Sequence, residues 1–410
     1  MDRSFSSGIQ KNVSMSKKEF RTGWKTLLAC FIGMSISFPS LFVYTSGIWI
    51  THWQDEFGWS RGEIGVGQGL VYLVVVLGTP FIGVFIDKFG FKRIGVVSLI
   101  LYGSCFYLYS IMDGSLIMFY LLSVLIAILA LPSSPIGFTR AINAWFKVNR
   151  GLALGIILSA IGLGAIIIPK FLTPYIAIEG WRDGQFILFL IVMIGVPFVW
   201  MLLKDPPGAS IPNQENNMNG MSLQSAIKSR SFWMVGLIFF LVSSALLGLI
   251  PGLIPMLLDE GLSPTEAGGF MAILGLSVVV GRIVIGFLID RFFAPYVAII
   301  IFSLSAFGCL LLGLWQTQFV MIGAITIGFA IGAEVDLVSF LSVKYFGMKY
   351  YGRIFGILYS LFVCGAVVSP VVVGYSWDIT GDYDVAFLLA VGIISIAIMI
   401  TSCLPKFSET

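Results

Sequence analysis

Three ionisable residues stand inside long apolar runs of this 410-residue chain: Arg282, Glu334 and Asp336. Arg282 lies eight residues before Asp290, about 12 Å into its run at 1.5 Å per helical residue. Glu334 and Asp336 precede Lys344 by ten and eight residues, about 12–15 Å by the same rise, so all three share one depth. A charge buried that far in a ~30 Å hydrocarbon layer costs several kcal/mol unless it is paired or solvated, which makes each a candidate for function. A guanidinium can grip a carboxylate as a bidentate fork, so Arg282 is the candidate ligand for an anionic substrate. The competing reading is an internal salt bridge to one of the two acids. Residues two apart on a helix point about 200° apart, so Glu334 and Asp336 cannot both face one cavity. Burial disfavours an ionised carboxyl and a neighbouring guanidinium favours it. A substrate carboxylate that takes Arg282 away from its acid therefore promotes protonation, a workable scheme for proton coupling. Tyr44, Ser133, Asn143, Ser243 and Tyr359, polar groups in otherwise apolar segments, are the candidates for the rest of the pocket. Hydroxyls among them have the alternative of bonding to the preceding helical turn.

The elements that must position these groups follow from composition. Apolar residues make up 58% of the chain and charged residues 11%, against about 25% charge in soluble domains. Runs of the roughly 20 residues needed to span a bilayer occur near 26–50, 63–86, 94–111, 115–138, 151–175, 185–203, 232–257, 266–289, 297–314, 318–341, 353–375 and 385–404. The expectation is an all-α membrane protein of twelve transmembrane helices. Of the 24 Lys and Arg residues, 20 fall on one side of these runs, three (Arg61, Lys170 and Arg182) on the other, and Arg282 between. Positive charge gathers on the cytoplasmic side, so both termini and the central loop are expected there, in what is read as a bacterial inner membrane.

The chain also repeats itself. G-V-F-I-D-K-F-G-F-K-R (Gly83 to Arg93) ends the second run and G-F-L-I-D-R (Gly286 to Arg291) ends the eighth; W-F-K-V-N-R-G-L-A-L-G (Trp145 to Gly155) is answered by Y-F-G-M-K-Y-Y-G-R-I-F-G (Tyr345 to Gly356). Repeated loops at one spacing mark two pseudo-symmetric six-helix bundles, an arrangement typical of transporters. The expected division is a tail at 1–22, a bundle at 23–204, a polar Pro- and Asn-rich linker at 205–230, a second bundle at 231–405 and a tail at 406–410. Residues 222–233 at the linker's end suit a short interfacial helix. The polar, basic first 22 residues do not read as a removable signal peptide. The five cysteines all lie in apolar runs with no metal or disulfide spacing. No nucleotide loop, nucleophile–base set or metal cluster appears, so neither enzyme activity, a metal, a cofactor nor a nucleic-acid partner is expected.

The loop G-x-x-x-D-K-x-G-x-K-R and its degenerate copy resemble the signature loops of the major facilitator superfamily. G-W-S-R-G-E-I-G (Gly58 to Gly65), N-R-G-L-A-L-G, G-W-R-D, G-L-S-P-T-E-A-G and G-R-I-V-I-G-F-L-I-D-R resemble its monocarboxylate and oxalate–formate branch. The resemblance implies the major facilitator fold and alternating-access transport of a small organic anion, a monocarboxylate above all, by symport with protons or by exchange, in a protein that works as a monomer among membrane lipids. It also implies a cytoplasmic gate built from Gly83, Asp87, Lys88, Gly90, Lys92, Arg93, Gly286, Asp290 and Arg291, with Asp87 placed to cap the start of the eleventh helix. The branch carries an arginine where Arg282 stands, four residues before Gly286. It departs from the branch in three places: Ser40 follows Pro39 where a lysine is usual, Val278 replaces an aspartate, and Val363, Cys364 and Gly365 occupy the place of an eleventh-helix lysine. One cation suits one carboxylate. The alternatives are a carrier of a larger solute, such as a polycarboxylate chelator or a drug, and a sensor that has lost turnover.

Overall fold

The computed structural model describes residues 2–146, 149–204, 220–289, 291–347 and 349–407; the side chains of 2–18, 80, 83–85, 87–89, 136, 144, 150, 151, 316, 317 and 352 lie outside the description. Apolar runs become helices because lipid offers no partner for backbone N–H and C=O groups, and a helix satisfies them within one segment. Among the described residues, twelve helical spans are long and apolar enough to cross a membrane. The first six are built from α1 (Asp2–Ser35), α2 (Ile50–Phe57), α3 (Arg61–Phe89), α4 (Phe91–Ser110), α5 (Leu116–Ala130), α6 (Pro135–Trp145), α7 (Arg150–Glu179) and α8 (Trp181–Leu202). After a short α9 (Leu223–Lys228), the second six comprise α10 (Arg230–Leu246), α11 (Leu249–Asp259), α12 (Pro264–Ile289), α13 (Ala294–Trp315), α14 (Val320–Phe346), α15 (Tyr351–Thr380) and α16 (Asp384–Ser402). The two shortest apolar runs are full spans, since their helices begin earlier, at Phe91 and Ala294. With an even number of crossings both termini share one side, called here the near face.

Three spans are broken, each beside a proline. A π-helical turn at Pro39–Val43 separates α1 from α2, a 3-10 turn at Leu131–Ser133 separates α5 from α6, and α10 hands over to α11 just before Pro251. Proline withdraws a backbone donor and crowds the preceding turn, and in lipid such a break persists only where neighbouring protein satisfies the freed groups. Ser40 Oγ donates to Met34 O at 2.9 Å across the first break, and Ser98 Oγ donates to Leu129 O at 2.5 Å beside the second. Between α3 and α4 the chain reverses at Gly90, whose φ of 81° is open to glycine and strained for other residues.

The halves meet along two seams, α3 against α15 and α7 against α12. On the far side each seam is main chain against main chain. A methyl group on Gly65 would strike Pro370 O, one on Gly69 would lie 2.5 Å from Val367 O, and one on Gly374 would strike Arg61 O. Along the other seam the same test at Gly268 gives 2.8 Å to Pro169 O, and at Gly275 2.9 Å to the Ala165 carbonyl carbon. Small residues let helices approach closely where lipid supplies no hydrophobic drive for association. Toward the near face the crowding ends: a methyl on Gly155 of α7 or Gly356 of α15 meets nothing within 4 Å. The halves therefore touch on the far side and part on the near side.

Candidate functional site

Between the parted halves lies a cavity of about 620 Å³. Its wall takes 72–79 of α3, 152–162 of α7, 278–283 of α12, 331–335 of α14 and 359–363 of α15, with Phe38, Tyr44 and Ser134 from the broken first and fourth spans. Leu152 and Ile283, both largely exposed, stand at its rim.

Arg282 lines this cavity, and its Nε lies 3.5 Å from Asp336 Oδ2, an ion pair without hydrogen-bond alignment. Both side chains keep partial exposure, 24% and 29%, so the guanidinium can still be approached. Glu334 also lines the cavity, yet it is fully buried and neither carboxyl oxygen has a hydrogen-bond partner. A carboxylate left that way bears the full cost of an uncompensated buried charge. α14 thus puts its two acids on different duties: Asp336 turns to the guanidinium on α12 and Glu334 sits alone in the wall.

Tyr44 and Tyr359 line the cavity too, joined by Tyr72, which sequence reasoning passed over. No hydrogen bond engages the hydroxyls of these three tyrosines among the described residues, which leaves them for a ligand. Tyr72 had no signal of its own; Thr79, another lining residue missed from sequence, had one, since it stands four residues before Gly83 as Arg282 stands before Gly286. The remaining pocket candidates are not brought to the cavity. Ser133 is fully buried behind it, bonded to Ser98 Oγ at 3.0 Å and to Ala130 O at 3.2 Å, because the helix break turns Ser134 inward in its place. Ser243 is spent on the carbonyls of Phe240 and Phe362 and packs against Gly365. Asn143 is exposed near the end of α6, outside the lining.

Of the expected gate, Asp290 and the side chains at Gly83, Asp87 and Lys88 lie outside the described residues. Gly90 makes the turn described above, and Lys92 sits 4.8 Å over the Trp200 ring. Arg93 is exposed, Arg291 stacks 3.4 Å from the Phe287 centroid, and Gly286 has open space around it.

The far face holds a network that the sequence did not announce. Arg61, only 3% exposed, grips Asp259 through Nη1 and Nη2 at 2.6 and 2.9 Å. It also donates Nε to Gln54 at 2.7 Å and Nη1 to the Tyr383 hydroxyl at 2.7 Å, with its guanidinium 3.7 Å from the Trp377 ring centroid. Asp378, near the end of α15, accepts the N–H groups of Arg61 and Gly62 at 2.9 and 2.7 Å. Ser60 and Glu63 close a capping box on the same helix start, so the donors of its first turn are satisfied, two of them by the opposite half. An acid at the end of one helix capping the start of a helix in the other half was the expectation for Asp87 on the near face; the far face carries such a cap from α15 to α3. Close by, Glu56 accepts from Arg182 at 2.5 Å and Trp181 at 2.6 Å. Its partial burial works upward, but these donors hold the carboxyl below its ordinary range.

Comparison with known proteins agrees with this architecture. A family model described as Major Facilitator Superfamily matches residues 26–370. Monocarboxylate transporter 12-B of Danio rerio is 26% identical over 61% of the chain and 59% of that protein. The sialic acid transporter NanX of Escherichia coli (strain K12) is 25% identical over 78% of each. Among solved structures, a bacterial homologue of the human lysosomal transporter Spinster, in an inward-facing and unoccupied conformation, superposes with a TM-score of 0.75, covering 94% of this chain and 98% of that one at 15% identity.

Proposed function

From the premise that this chain belongs to the major facilitator superfamily, we propose that it is a secondary active transporter of a small organic anion, coupled to protons. The observation that carries the reading is Arg282, the one Lys or Arg among the described lining residues, reachable in a largely apolar cavity between two halves, with its counter-ion Asp336 beside it.

In this reading the near face is cytoplasmic, where the chain keeps 20 of its 24 basic residues. The substrate carboxylate engages the open edge of the Arg282 guanidinium, helped by the Tyr44 and Tyr359 hydroxyls. That contact competes with Asp336 for the same charge. Once released, Asp336 takes a proton, and the loaded cavity gains no net charge. Glu334, buried in the wall with no hydrogen-bond partner among the described residues, takes no part in this exchange. The halves then rock, opening the far seams and closing the near face over the signature loops, with Asp87, Lys88, Lys92, Arg93, Asp290 and Arg291 forming the near gate around Gly83, Gly90 and Gly286.

The test is uptake into vesicles reconstituted with the purified protein, using labelled organic acids with and without an acidic outside. Accumulation that collapses without the gradient, and that Arg282→Ala abolishes while Arg282→Lys restores in part, is the expected outcome. Undiminished uptake by Arg282→Ala refutes the reading.

A further inference from the structure

The cavity is large and chemically sparse for the acids such a transporter would be expected to carry. Pyruvate or lactate has six non-hydrogen atoms, which at about 30 Å³ each, the share of a water in the liquid, fill about 180 Å³. The cavity offers about 620 Å³, within the range of pockets that enclose drug-sized ligands. What surrounds the remaining space is apolar: Val75, Leu131, Ile156, Leu158, Ile331 and Phe362 form much of the wall.

The polar side chains of the lining are few, and several are already engaged. Thr79 Oγ1 donates to Val75 O at 2.6 Å and Ser159 Oγ to Ile156 O at 2.7 Å, each to its own helix. The Ser134 hydroxyl is buried out of reach. Arg282 and the three tyrosine hydroxyls are what remains for a ligand among the described residues. A polyhydroxylated acid would bring many donors and acceptors into this space, and each left unmatched costs about 1–3 kcal/mol. A dicarboxylate needs a second cation, and Arg282 is the only Lys or Arg among the described lining residues. Rings are well represented, with Phe38 and Tyr72 edge-to-face at 6.4 Å and Tyr359 and Phe362 tilted at 34° with centroids 5.7 Å apart.

Resting on the organic-anion reading above, we infer that the substrate is a monocarboxylate with a sizeable apolar body, aromatic or branched. Its carboxylate sits on Arg282, and its body lies among Phe38, Tyr72, Ile156 and Phe362. The tyrosine hydroxyls meet at most one or two polar atoms near the head.

Pyruvate and phenylpyruvate share a head group and differ by one ring, so they separate the two questions. Reconstituted vesicles are assayed by counterflow of labelled phenylpyruvate, with unlabelled pyruvate, oxalate and sialic acid as competitors. Phenylpyruvate is expected to bind at least tenfold more tightly than pyruvate, about 1.4 kcal/mol, with oxalate and sialic acid inert. Ile156→Ser, which puts a hydroxyl in the apolar wall, is expected to pull the phenylpyruvate-to-pyruvate ratio toward one; a folding defect lowers both acids alike and leaves the ratio in place. Equal affinity for the two keto acids, or preference for oxalate or sialic acid, overturns the inference and leaves the anion-transport reading standing. If no carboxylate moves in any arm, that reading falls and the inference with it.

Discussion

Removal of the Asp378 carboxylate should open the far face. In the structure it closes two donors at the start of α3, at 2.9 and 2.7 Å, from across the seam between the halves. A hydrogen bond to a charged group contributes about 1.5–3 kcal/mol. Two bonds share one carboxylate here, and Asp378 is exposed enough for water to replace it, so about 2 kcal/mol in total is the appropriate magnitude. Those bonds exist only while the far face is closed, so their loss shifts the closed-to-open ratio by about 30-fold at 1.4 kcal/mol per decade. The assay places a cysteine at Ser159 in the cavity wall, with Cys364 and Cys403 replaced, and follows its reaction with a membrane-impermeant maleimide in vesicles of each orientation. Asp378→Ala should raise the labelling rate from the far side about 30-fold, and Asp378→Asn, which can still accept one N–H, should raise it less. A far-side rate within twofold of the parent in both variants, with unchanged thermal stability, would show that the cap does not hold the far face.

Two further outcomes follow from the same geometry. Asp336→Asn should abolish gradient-driven accumulation yet keep exchange of labelled for unlabelled acid, whereas Glu334→Gln should keep the proton dependence; the converse pattern reverses the duties assigned to the two acids. Gly65→Val should lower uptake severely and weaken the purified protein to heat, because its side chain meets the backbone of α15, while Gly269→Ala, facing open space outside the cavity lining, should stay near the parent in both measurements.

Much of the architecture was legible in the residues. Runs of apolar side chains have one stable form in lipid, and the twice-written loops disclosed the duplication. Helix breaks were harder, because Pro39 and Pro132 interrupt spans in the structure while Pro169, Pro174, Pro197 and Pro370 lie inside continuous helices. Which outcome a proline takes depends on neighbours from distant sequence. Arg282, Glu334 and Asp336 were conspicuous because charge is rare in the hydrocarbon layer. Ser133 and Ser243 misled for the reason already attached to hydroxyls in helices: a carbonyl one turn back is always within reach. Arg61 was visible only as one of three basic residues on the sparse side and as a member of the G-W-S-R-G-E-I-G stretch. Its partners Gln54, Asp259, Trp377 and Tyr383 come from four separate segments, and nothing local joins them.

The repeat also sorts the cavity's chemistry between the halves. Ser134 stands twelve residues before Phe146 as Glu334 stands twelve before Phe346, and Thr79 answers Arg282 in the same way. At matched positions, then, the first half carries two hydroxyls, one bonded to its own helix and one buried, and the second carries two ionisable groups, with Asp336 beside them on the second half as well. In the proposed cycle the carboxylate's partner, Arg282, and the proton's acceptor, Asp336, both belong to the second half. In that cycle the carboxylate stays with Arg282 as the halves turn, while the first-half groups around it, Tyr44, Phe38, Tyr72 and Ile156, shift against the bound acid. Mutations that loosen or stiffen the first half should therefore change how fast cargo crosses more than how tightly it is held.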